Sequence, residues 1–269
     1  MPPIPERLSI SQVRTWLRCP RQWGYRYLAG LKEPPKWVMR AGTAMDDTLT
    51  GHNNLKMKGE GFKLTEAQDF YRDRVRTLAD TDGLPKDQEM ATVIDDGTKM
   101  LPTYYKDFDP IVEPVKVQER TEIDIGGVPM LGFIDLVRRA SDGHLITSDY
   151  KFTSRKPTGA AATSMQLAYY ALANPDPTGH VELVALVKTK SPQVVSDSHF
   201  LTPFDTGRLL RTVKQVWKGV HESRFPFPSP ENEWGNGGSS FCNETRCGYW
   251  SRCVGNPKGP EPIPGEMEV

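Results

Sequence analysis

The sequence predicts a mixed α/β protein in which helices flank a central mixed sheet, and three observations carry that prediction. Helical periodicity dominates residues 1–110. Three alternating segments, separated by Gly126-Gly127 and Ser141-Asp142-Gly143, then read as a meander. A helix, two strands and a last helix complete a core over 111–222.

Taken in order, Ser9 or Ser11 can cap a first helix over residues 12–28, with Trp16, Leu17, Trp23 and Tyr27 on its buried side. Pro20 has no amide to donate inside a helix, so it kinks this one or begins a second. Further helices are expected over 42–55, 65–80 and 87–108, the last running up to or around Pro102. Strands follow at 115–125, 128–140 and 144–153, with the β-branched residues and short turns of an antiparallel set. A helix over 161–173, strands over 180–189 and 193–202 and a helix over 205–223 close the order. Residues 223–255 form a Pro-, Gly- and Ser-rich segment carrying three cysteines, and 256–269 are expected to be a disordered tail.

Lys plus Arg and Asp plus Glu each total 34, so no overall field draws the chain to nucleic acid or to an anionic membrane, and an anionic substrate must meet a local patch. Apolar runs such as "VELVALV" fall far short of the roughly 20 residues a span needs. The N-terminus lacks a basic start followed by an apolar core, so a cytoplasmic protein is expected. A reducing compartment disfavours disulfides, so Cys19, Cys242, Cys247 and Cys253 become candidate metal ligands.

Chemistry concentrates on two strands. In "SDYK", Asp149 and Lys151 share a face while Tyr150 points into the opposite layer. Asp135 interrupts the apolar strand "GFIDLV", and pairing around the Ser141-Asp142-Gly143 turn brings it toward Asp149. Adjacent carboxylates repel, and a divalent cation removes that penalty; oxygen ligands suit Mg²⁺ or Mn²⁺. Glu119, one strand earlier, is a candidate third acid, and Lys151 would orient or deprotonate an attacking water. An ordinary cross-strand ion pair or a solvated surface would also account for these residues alone.

Strand Asp, a turn, then Asp-x-Lys resembles the PD-(D/E)xK nuclease superfamily. The details are similar to its RecB-like exonuclease branch, with the AddB-type and CRISPR-associated iron-sulfur nucleases. The resembling residues are Glu119, Asp135 in "GFID", Asp149 and Lys151 in "SDYK", then Gln166 and Tyr170 in "QLAYY", after a leading "LSISQVRTWLRCPRQWGYRY" helix. The resemblance implies that Asp135, Asp149 and Glu119 hold Mg²⁺ or Mn²⁺ with the Tyr150 carbonyl, and that Lys151 positions the water. Asp46 stands where the family usually has a metal-holding His, as an oxygen ligand or as an exposed helix acid. Gln166 and Tyr170 would contact the nucleic-acid backbone or a base, or else Tyr170 packs in the core with Gln166 at its rim.

Cys19 with Cys242-x4-Cys247-x5-Cys253 resembles the four-cysteine staple of these nucleases, though the family usually has two residues where this chain has four. Thiolates suit a [4Fe-4S] cluster or Zn²⁺, and the resemblance implies the cluster, pinning the C-terminal segment onto the first helix. Such a staple closes a loop whose entropy is roughly 4 to 5 kcal/mol. The implied activity is metal-dependent DNA exonuclease action on single strands or ends, in recombination, repair or phage DNA metabolism. The alternative is a non-cleaving DNA-binding subunit. No phosphate loop of the GxxxxGK[ST] type is present, so a motor such as a helicase would be a separate partner.

Overall fold

A computed structural model of the chain describes residues 4–33, 36–82, 89–226 and 242–266. The chain divides into two compact units that do not follow chain order. Unit one is Met1–Glu33, Glu122–Leu131 and Arg208–Val269, and unit two is Pro34–Thr121 and Gly132–Gly207.

Unit one begins with α1 (Ile10–Arg18), α2 (Pro20–Trp23) and a π-helical turn over Gly24–Leu28, so the helix expected over 12–28 is broken at Cys19. Ser9 caps α1 in a reciprocal box with Gln12, and Cys19 with Pro20 behind it restarts the helix. Leu8 bridges to Met130, and Trp16 lies so close to Gly219 of α8 (Pro203–His221) that a Cβ there would stand 2.4 Å from its ring. Residues 256–266, expected to be disordered, are instead held in this unit. Ile263 is buried in a seat that a Cβ on Gly24 would fill, and Tyr25 donates from its hydroxyl to the Glu261 carbonyl at 2.8 Å. Composition misled here because one anchoring Ile is hidden in a Pro- and Gly-rich string. Residues 227–241 and 267–269 lie outside the described residues.

Unit two carries a helical layer of α3 (Trp37–Lys56), α4 (Leu64–Asp82) and α5 (Met90–Asp107). Trp37, Ala41, Ala44, Met45, Thr48, Leu49 and His52 recur at helical spacing and are buried, which is what fixes the inner face of α3. In α5, Gly97 admits the Tyr71 ring, which would stand 2.1 Å from a Cβ at that position. Among the described residues, five strands form one sheet in the order β1-β2-β3-β4-β5. These are β1 (Glu113–Asp124), β2 (Pro129–Arg139), β3 (Leu145–Thr153), β4 (His180–Val187) and β5 (Gln193–Phe200).

The sheet is mixed, as expected. β2–β3 and β4–β5 are antiparallel, while β3–β4 is parallel because α6 (Ala160–Thr163) and α7 (Met165–Ala173) intervene. Ser164 splits the single helix expected over 161–173 by capping α7 at the Leu167 amide. Leu136, Tyr150, Phe152, Val184 and Leu186 join the core built with α3, α4 and α5. Side-chain alternation therefore turns Asp149 and Lys151 to the other face. On the core side, Arg138 of β2 grips Glu182 of β4 through both oxygens, at 2.6 and 2.9 Å. Ser148 of β3 and Ser196 of β5 donate to the same carboxylate. Among the described residues, no helix is long and apolar enough to cross a membrane.

Candidate active site

The antiparallel ladder between β2 and β3 runs from Arg139↔Leu145 to Leu136↔Ser148. At the next residue a side chain takes over from the backbone, since the Tyr150 amide donates to Asp135 Oδ2 at 3.0 Å. The acid is thus fixed by a main-chain donor of the strand that carries Asp149 and Lys151. Asp149 is fully buried, whereas the Lys151 side chain keeps 40% of its exposure at the site's open side. Lys151 Nζ lies 2.6 Å from both Asp149 oxygens but is in hydrogen-bonding geometry with Oδ1 only. Asp149 Oδ2 is buried without a hydrogen-bond donor.

Burial pushes the Asp135 carboxyl up to about 8, and the charges of Asp149 and Asp46 push the same way. Asp46, on α3, is pushed up to about 6, first by burial and then by Asp47, with Asp149 adding to it and Lys151 opposing it. Three carboxylates therefore feel one another beside a single ammonium. As placed, no trio of His, Cys, Asp or Glu among the described residues is gathered tightly enough to hold an ion. The donor chemistry nevertheless fits a hard divalent cation, because the acceptors are carboxylate oxygens and their mutual repulsion is what a cation relieves.

The other expected residues fall into place differently. The Tyr150 carbonyl accepts from Lys151 Nζ at 3.2 Å, and its ring lies in the helical core. Tyr170 is buried, and its hydroxyl donates to Asp135 Oδ1 at 3.3 Å while accepting from Gln166 Nε2 at 2.6 Å. Gln166 and Tyr170 thus form a line leading to Asp135. Glu119 pairs with Lys116 at 3.4 Å, and the β1 side chain that reaches the acid cluster is its neighbour Gln118, which donates to both Asp46 oxygens. Gln118 escapes a search for acids and bases because it is a neutral amide. Its backbone φ of +48° is invisible in the letters.

The four cysteines are free thiols in unit one. Cys19 caps α2 by accepting from the Gln22 amide at 3.4 Å, and burial pushes its thiol up to about 11, with the charges of Cys253 and Cys247 acting in the same direction. Burial and the charge of Cys253 also raise Cys242. The segment bearing them meets the N-terminal helices through Tyr249, which donates to the Leu31 carbonyl at 2.6 Å and stacks on Tyr25 with centroids 5.7 Å apart. Cys19 feels the charges of Cys253 and Cys247, and thiolates are soft ligands that suit either an iron-sulfur cluster or Zn²⁺.

A family model described as the PD-(D/E)XK nuclease superfamily matches residues 7–254. A crystal structure named "Putative exonuclease" from Eubacterium rectale superposes with a TM-score of 0.53 at 11% identity, covering 81% of this chain and 80% of that one, which shows a shared fold. The crystal structure of SSO0001 covers 79% of this chain and 76% of its own at 15% identity, with a TM-score of 0.38 that carries no argument. No curated protein sequence matches the chain.

Proposed function

Because the chain belongs to the PD-(D/E)XK nuclease superfamily, we propose that it hydrolyses phosphodiester bonds of DNA with a divalent cation, as an exonuclease of the RecB-like branch. The observation that carries this reading is the convergence of buried Asp149, Asp135 and the Lys151 ammonium, with the neighbouring carboxylate charges raising Asp135. Bound Mg²⁺ or Mn²⁺, held by Asp135, Asp149 and Asp46, would polarise the phosphodiester and activate water. Lys151 orients the nucleophile and stabilises developing negative charge from the open side. Tyr170, steadied by Gln166, and the Tyr150 amide hold Asp135 in register.

A nucleic-acid strand is supported by a cavity of about 430 Å³ that begins at Lys151. Arg155 and Lys156 supply cations there, while Leu183 and Ala185 line it with apolar surface, a combination that suits a phosphate with its nucleoside. Single strands or DNA ends, in recombination, repair or phage DNA metabolism, are the substrates this reading takes, with any helicase a separate partner. The cysteines would carry a [4Fe-4S] cluster in a structural role. An anaerobic preparation is then brown with a visible thiolate-to-iron band, and a colourless one with stoichiometric zinc would refute the cluster.

Labelled single-stranded DNA incubated with Mg²⁺ or Mn²⁺ tests the activity. Wild type should shorten it and Asp149→Ala should not. Equal product from both proteins would refute catalysis at this site, and no product from either would favour a DNA-binding subunit.

A further inference from the structure

The geometry points to Gln118 as a positioning residue that holds Asp46 in the cation site, an inference that rests on the cation-dependent reading above. In the middle of β1, Gln118 adopts a φ of +48°, the left-handed region that favours glycine and costs other residues. The ion pair of Lys116 with Glu119 at 3.4 Å marks the same break independently. Residues three apart point to opposite faces of an unbroken strand, and here they meet. An irregularity of this kind acts like a bulge, which re-aims a side chain. The side chain re-aimed is that of Gln118, and its Nε2 stands 3.2 and 3.1 Å from the two oxygens of Asp46.

A neutral amide suits this position chemically. It donates to the carboxylate and fixes its direction, yet leaves intact the negative charge that attracts a cation. Lysine or arginine at the same place would cancel that charge. The site then presents Asp46, Asp135 and Asp149 as an all-oxygen donor set, which suits Mg²⁺ or Mn²⁺ better than softer ions. The backbone strain at Gln118 accompanies a hydrogen bond directed at that set, and not an apolar contact of the core.

Mn²⁺ binding to the full chain, followed by electron paramagnetic resonance, tests this, with thermal unfolding of each variant as the folding control. Gln118→Gly removes the amide and tolerates the left-handed backbone, so the expected variant is folded and binds Mn²⁺ about tenfold more weakly. In an Asp46→Asn background the same Gln118→Gly step should produce no further loss, because its partner carboxylate is gone. Wild-type affinity in Gln118→Gly, or an equal loss in the Asp46→Asn background, would overturn this inference and leave the cation site standing. Absence of Mn²⁺ binding by the wild type would overturn the cation site and this inference together.

Discussion

Lys151 and Asp149 sit 2.6 Å apart, so the ammonium occupies space on the carboxylate that a cation would also claim. Removing each partner should therefore have opposite effects on metal binding and the same effect on turnover. Lys151→Ala is expected to lose roughly 10²- to 10⁴-fold in rate while binding Mn²⁺ as tightly as wild type or tighter; Asp149→Asn is expected to lose both. Calorimetric titration with Mn²⁺ beside a cleavage assay separates them, and parallel losses in both variants would contradict these roles. Asp135 gives a second prediction. Its folded carboxyl is raised to about 8 from the ordinary 3.8, so the native state holds a proton that the unfolded chain releases. The stability this confers is present below the unfolded value and is lost as pH rises through about 8. Urea unfolding without metal should accordingly show stability falling between roughly pH 5 and 8, and Asp135→Asn should flatten that slope. An unchanged slope in the variant would place the proton elsewhere.

Among the elements, β2 to β5 are tied by the Arg138–Glu182 pair with its two serine donors, on the core side of the sheet. Arg138 holds the Glu182 carboxyl below its usual range despite the burial that opposes ionisation. Glu182→Gln leaves a buried guanidinium without its counter-charge, and a loss of about 3–5 kcal/mol is expected in denaturant unfolding. A loss under about 1 kcal/mol would mean that solvent reaches the pair. Much of this layout was legible beforehand. Glycine-containing turns and alternation announce the β2–β3 hairpin, and the helix between β3 and β4 announces a parallel pair. Asp135, Asp149 and Lys151 were legible too, because a polar residue in an apolar strand stands out. The Gln118 contact to Asp46 was not, since it depends on one backbone angle that breaks the alternation of β1. The hydrogen-bonded line from Gln166 through Tyr170 to Asp135 was legible only in part: core packing of Tyr170 was one of two expected roles beside contact with nucleic acid, and the link to Asp135 was not foreseen.

At the scale of the whole chain, each unit is assembled from segments distant in sequence, and unit one draws on both ends. The tail contributes Ile263 under Gly24, the Glu261 carbonyl that takes the Tyr25 hydroxyl, and Glu266 beside Arg21 at 2.5 Å. Ending the chain after Gly255 should lower stability by about 2–4 kcal/mol, chiefly through the lost burial of Ile263. An unchanged urea midpoint would return these residues to the disordered state their composition suggests. The account as a whole turns on Asp135 and Asp149 sharing a cation. Diffraction from crystals soaked in Mn²⁺, recorded at a wavelength where manganese scatters anomalously, tests this most directly. An anomalous peak within about 2.0–2.3 Å of a carboxylate oxygen of both residues is the predicted result; saturating Mn²⁺ with no peak there, or one touching neither acid, would contradict it.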